Sequence, residues 1–185
     1  MRAIAERAGV SVPTLELLFG RKREVLKMAV DVARAGDDEP VPVLERVDVV
    51  AAASTADPRV LIARVAALLA DAQERSAGLV LTVFEGADSD PDLATLADDL
   101  AAQRAATAAW LVNQLLDRAS LRTGCTTAEA VNTVWLLMEP ALFDRMRRHR
   151  HWTRADYQHW VTTALMRLLL DAASTTTPSP PQEAG

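Results

Sequence analysis

Ser11, Thr14, Arg21 and Lys22 bring two hydroxyls and two cations into one short stretch, a set of groups suited to holding a phosphate. They flank a short apolar segment that opens after Ser11, and the first turn of a helix there would present free N–H groups to an anion. A second constellation surrounds Pro140. Trp135, Met138, Glu139 and Phe143 combine apolar walls with one carboxylate. A proline inside a helical stripe opens space between helices, so these residues are candidates for a small-molecule pocket, with Phe84 and Trp110 as further lining. Plain core packing is the alternative for each aromatic.

Other reactive types lead less far. His149 and His151 lie in a run with Arg145, Arg147, Arg148 and Arg150. A metal needs several convergent ligands, and the arginines repel a cation, so the run reads as a solvated basic helix end that complements the helix dipole. Cys125 is the single cysteine, which excludes an internal disulfide and a four-cysteine zinc site. The chain has no G-x-S-x-G, no phosphate-binding glycine loop and no dinucleotide glycine pattern. No catalytic residue, metal or cofactor is expected, and the chain reads as a non-enzyme.

The elements that must position these groups follow from periodicity. The 185 residues are 50% hydrophobic and 24% charged, and Gly and Pro are few and fall between periodic segments. That composition predicts an all-α fold. Helices are expected over Arg2–Ala8, Val12–Phe19 and 21–35, separated by Gly9 and Gly20. Gly36-Asp37-Asp38-Glu39-Pro40-Val41-Pro42 marks a module boundary, and residues 44–53 read as a short helix. Asp57-Pro58 and Asp90-Pro91 each start a helix with a capping carboxylate and a proline in the first turn. The first carries the stripe Leu61, Val65, Leu68, Leu69 and Ala72, and the β-branched GLVLTVF at 78–84 reads as buried helix because a lone strand would have no partner. The second extends to about residue 118.

Thr126 with Glu129 forms a capping box before the stripe Val131, Trp135, Met138, Leu142 and Met146, with a kink expected at 136–139. Thr153 with Asp156 opens a last helix carrying Tyr157, Trp160, Val161, Leu165, Leu168 and Leu169. Residues 174–185 are polar and proline-rich, and disorder is expected there. The expected division is therefore 1–35, a linker at 36–57, a helical body at 58–173 and the tail.

Charge divides along the same lines. The chain carries a net −5, yet residues 1–35 hold seven basic against four acidic side chains, a local +3. A general cationic coat is excluded, while a local DNA-binding face on an acidic body is not. With no apolar run of membrane-crossing length and no signal-peptide core, a cytoplasmic protein without membrane contact is expected.

Helix, glycine turn, short helix and longer helix is the order of a helix-turn-helix reader. The run Arg2-Ala3-Ile4-Ala5-Glu6-Arg7-Ala8-Gly9-Val10-Ser11, with Thr14-Leu15, Phe19-Gly20, Lys22 and Leu26, resembles the tetracycline-repressor (TetR) family of bacterial regulators. The likeness is specific over residues 2–44 and architectural beyond them.

The resemblance implies a homodimer that binds a double-stranded operator and is controlled by a small-molecule effector in the helical body. It assigns DNA contact to Ser11, Val12, Pro13, Thr14, Glu16, Leu17, Arg21 and Lys22, and dimerisation to the helices containing 131–148 and 157–170. Ile4, Ala8, Val10 and Leu15 are expected inside the helix pair. The family's first helix would precede Arg2, so an incomplete reader is expected. The contrasting expectation is a dimeric small-molecule binder or interaction protein on the same fold without DNA binding, suggested by Glu16 and Leu18 on the second helix.

Overall fold

The computed structural model describes residues 1–171, and the expected tail at 174–185 lies outside them. Its described residues form nine α-helices and no strand: α1 (Arg2–Ala8), α2 (Val12–Phe19), α3 (Lys22–Ala35), α4 (Val47–Ala53), α5 (Pro58–Gly86), α6 (Pro91–Leu116), α7 (Thr127–Leu137), α8 (Pro140–Arg150) and α9 (Arg154–Leu169). The fold is all-α, and no described helix is long and apolar enough to cross a membrane.

Local chemistry sets the helix starts. Asp57 accepts from the amides of Arg59 and Val60, and Asp90 from those of Asp92 and Leu93, each with proline in the first turn. Full capping boxes join Thr126 to Glu129 and Thr153 to Asp156. Each such cap is worth about 1 kcal/mol. The β-branched 78–84 segment is helical, as the last two turns of the 29-residue α5.

Arginines close several helix ends from a distance. Arg75 on α5 donates to the carbonyls of Ala33 and Arg34 at 2.9 and 2.7 Å, the last turn of α3. Gly36 ends that helix at φ 89°, and a Cβ there would lie 3.3 Å from the Arg75 guanidinium, so glycine suits both the turn and the cap. Arg118, just after α6, donates to the carbonyls of Ala53, the last residue of α4, and of Thr55 beyond it. Arg122 reaches the Leu168 carbonyl of α9. Each guanidinium satisfies orphan carbonyls and places positive charge at the negative end of a helix dipole.

α5 is the axis of the bundle and packs against α3, α4, α6, α8 and α9. Its buried face is Leu61, Ile62, Ala66, Ala70, Gln73, Ser76, Ala77, Val80 and Val83. The expected stripe was Leu61, Val65, Leu68, Leu69 and Ala72, so the true face is rotated by about one residue and its middle is made of alanines. The same rotation occurs on α7. Ala130, Val134 and Leu137 are buried, whereas Val131, Trp135, Met138, Leu142 and Met146 are half-buried. Small side chains let helix axes approach closely, and the bulky neighbours pack around the crossing. Ala66, Ala70, Ala77, Ala108 and Ala130 all belong to the larger core cluster.

A smaller cluster joins Val30 of α3 to Val80 and Val83 of α5 and to Leu96, Ala97 and Leu100 of α6. The boundary expected at residue 36 is therefore a chain turn and does not divide the packing, because α3 is held by the body. The turn after it is clamped by Arg46, whose two Nη atoms meet the Asp37 carboxylate at 2.7 and 2.8 Å.

Several carboxylates are held below their ordinary pKa: Asp37 at about 2, mainly by Arg46 and then by the Glu39 amide, Asp90 by Lys22 and helix amides, and Glu129 and Asp156 by their capping boxes. The unfolded chain takes up these protons first as pH falls, so each contributes stability that is lost on acidification; for Asp37 it is present above pH 3.8 and is lost towards about 2. The urea midpoint is expected to fall between pH 4 and pH 2, and Asp37→Asn to reduce the fall. An equal fall in the variant would remove Asp37 as a contributor.

Candidate functional site

The N-terminal constellation is built by α1, α2 and the turn between them. Gly9 ends α1 at φ 68°, and the Val10 amide returns to the Ala5 carbonyl at 3.0 Å. Ser11 caps α2 by accepting from the Thr14 amide at 3.1 Å, and its hydroxyl lies 2.7 Å from that of Thr14. Only Ala5 and Leu15 are buried in this pair. Ile4, Ala8 and Val10, expected inside, are exposed, because two short helices offer too little opposing surface to cover them.

Ser11, Pro13, Thr14, Glu16 and Arg21 are exposed and Val12 is half-buried. Leu17 and Leu18 are 86% and 65% exposed. Lys22 differs from the expectation of a free phosphate ligand. Its ammonium is 2.7 Å from Asp90, the cap of α6, and the opposite charge of that carboxylate satisfies it. Arg23 similarly pairs with Asp99 at 3.1 Å. Cations that looked available are used to fasten α3 to α6.

The second constellation is the junction of α7 and α8. The expected kink is a complete break, with Met138 ending α7, Glu139 preceding α8 and Pro140 in the first turn. Proline has no N–H and clashes with the preceding turn, so the carbonyls ahead of it lose their helical partners. Other helices supply replacements. The Tyr157 hydroxyl of α9 donates to the Leu137 carbonyl at 2.8 Å, and Gln73 of α5 donates to the Met138 carbonyl at 2.7 Å. Burial, and then the Glu139 charge, hold the Tyr157 phenol well above its ordinary pKa, so it remains a donor.

Arg104 of α6 pairs through Nη1 with the Glu139 carboxylate. Its guanidinium also lies over the Trp135 ring, 4.2 Å from the ring centroid. The Arg104 side chain is only 9% exposed and Glu139 28%. Arg104 Nε is buried without a hydrogen-bond partner, which costs on the order of 1–3 kcal/mol. Arg34, at the end of α3, feels the Arg104 charge; burial chiefly lowers its pKa and Arg104 adds to that, against Asp31.

Arg104 thus bridges Trp135 and Glu139 at the break. Phe143 is buried beyond it, edge-on to Tyr157 at 4.9 Å. Trp110 packs against the large core cluster, and Phe84 belongs to the separate cluster around Val30. The six do not form one pocket. The cavity beside the break has a volume of about 20 Å³, room for about one water, and its lining is apolar: Val65, Ala66, Leu69, Leu111, Val134, Leu137, Met138, Val161 and Leu165. Of the expected lining, only Met138 borders it.

Arg104, Gln73 and Tyr157 were not anticipated as site residues. No local sequence signal marks them: Gln73 stands among Asp71, Glu74, Arg75 and Ser76, and Arg104 follows Gln103. The basic end of α8 is mostly exposed, with Arg147 paired to Glu74 and Arg148 to Asp144. No group of three metal-ligating side chains occurs among the described residues.

Tyr157→Phe leaves the buried Leu137 carbonyl without its donor and is expected to cost about 1–3 kcal/mol in urea denaturation. An unchanged midpoint would show that the break does not depend on this bond. In comparisons with known proteins, no family model, no curated protein and no solved structure matches the chain.

Proposed function

We propose that the protein is a TetR-like, DNA-binding transcriptional regulator of the cytoplasm, most simply a repressor, that works as a homodimer under control of a small-molecule effector bound in its helical body. The observation that carries this reading is the α1–Gly9–α2 unit. In it α1 and α2 pack on each other, Ser11, Thr14 and Arg21 are exposed around the start and end of α2, and it belongs to the basic part of an otherwise acidic chain.

In this reading the hydroxyls and Arg21 meet phosphates, and the outer face of α2, with Pro13, Glu16 and Leu17, faces the major groove. The dimer would form through α8, α9 and the adjoining outer face of α7, where Leu136 and Leu168 remain exposed. A two-fold dimer places two readers on the half-sites of a palindrome, and an effector that changes their spacing changes affinity.

One observation favours a second reading, a dimeric small-molecule binder without DNA activity. Lys22 is engaged by Asp90, and the face of α1 and α2 is apolar and acidic in part, with Ile4, Glu16, Leu17, Leu18 and Phe19 exposed.

Gel-shift titration against the duplex upstream of the protein's own coding sequence separates the two. The regulator binds, and Arg21→Ala weakens binding to all duplexes while lowering the salt slope by about 1. Lys22→Ala leaves that slope unchanged, because its charge is already matched by Asp90. Absence of binding at low salt would favour the DNA-free reading. Light scattering at micromolar concentration is expected to give the dimer mass in either case, and a monomer mass would contradict both.

A further inference from the structure

The Trp135 indole and the Glu139 carboxylate present what a planar organic cation requires: an aromatic face and a charged acceptor side by side. Both are already used by a cation of the chain itself, Arg104. That cation fits imperfectly. Its Nε is buried without a partner, and Arg34, which donates to the Gln103 side chain next to it on α6 at 3.1 Å, is a like charge close by.

Met138, next to Glu139, has a half-buried and adaptable side chain that borders the small apolar cavity between α5, α6, α7 and α9. The cavity is smaller than an aromatic ring, so a ring attached to a cation enters there only where the Met138 side chain moves aside.

We propose that Trp135 and Glu139 form a binding site for an aryl-substituted amidinium or guanidinium, and that Arg104 is its tethered occupant, displaced when the ligand enters. This gives the chemical class of effector for the regulator proposed above, and rests on that reading only for its consequence. The ligand's charge replaces that of Arg104 against Glu139, and its ring takes the space that Met138 yields. Arg104 leaves the neighbourhood of Arg34. Because Arg34 sits at the end of α3, the helix that follows α2, ligand entry changes the electrostatic setting of the element that carries the N-terminal pair.

The test is calorimetric titration of the whole chain, without DNA, using benzamidine and its neutral near-isostere benzamide. Benzamidine is expected to bind and benzamide to bind at least tenfold more weakly. Arg104→Ala removes the internal competitor and should tighten benzamidine binding by tenfold or more, whereas Glu139→Gln should abolish the preference for the cation. Equal binding of the two compounds to the wild-type chain, or no binding of either, would overturn the proposal without any variant having to fold. So would undiminished benzamidine binding by Glu139→Gln, or weaker binding by Arg104→Ala. Because DNA takes no part, failure here is distinct from failure of the gel shift.

Discussion

Pro140 interrupts a helix in the middle of the core, and much of the bundle is arranged around the backbone groups it leaves over. A buried carbonyl without a donor is costly, so the Leu137 and Met138 carbonyls require partners from outside α7. α9 supplies Tyr157 and α5 supplies Gln73, while α6 supplies Arg104 to the neighbouring carboxylate. Three helices distant in sequence are thereby tied to one two-residue junction. These bonds are directional, and they fix the relative rotation of helices that apolar contact alone would leave free to slide.

The same economy recurs where helices end. Arg75, Arg118 and Arg122 each reach across to the terminal carbonyls of another helix, so a local defect becomes a tertiary contact. The linker after α3 is ordered in this way, through Arg75 on one side of Gly36 and the Arg46–Asp37 pair on the other. In consequence α3 is physically part of the body while remaining in chain order part of the N-terminal segment. Any movement of α1 and α2 relative to the bundle must pass through a helix anchored by Val30 in a core cluster and by Lys22 and Arg23 on α6.

What was legible in the sequence was mostly local. Asp57-Pro58, Asp90-Pro91, Thr126 with Glu129 and Thr153 with Asp156 place helix starts because a cap needs only its own next three residues. The rotation of the buried faces on α5 and α7 was not legible, because leucine and valine dominate a periodicity reading while alanines make the closest crossings. An interruption at Pro140 was legible, because proline cannot continue the helix. The cation that occupies it was hidden, since Arg104 lies about 30 residues away on another helix and only tertiary packing brings it there. Phe84 was misassigned for the same reason, its helix being long enough to contribute to two separate clusters.

The central claim is that Arg104 and Glu139 act as a coupled pair at the break, so that whatever displaces one acts on the other. A double-mutant cycle of Arg104→Gln and Glu139→Gln, read by urea denaturation at neutral pH, measures that coupling directly. A favourable interaction of about 1 kcal/mol or more is expected. Single effects that add to within about 0.3–0.5 kcal/mol would contradict it.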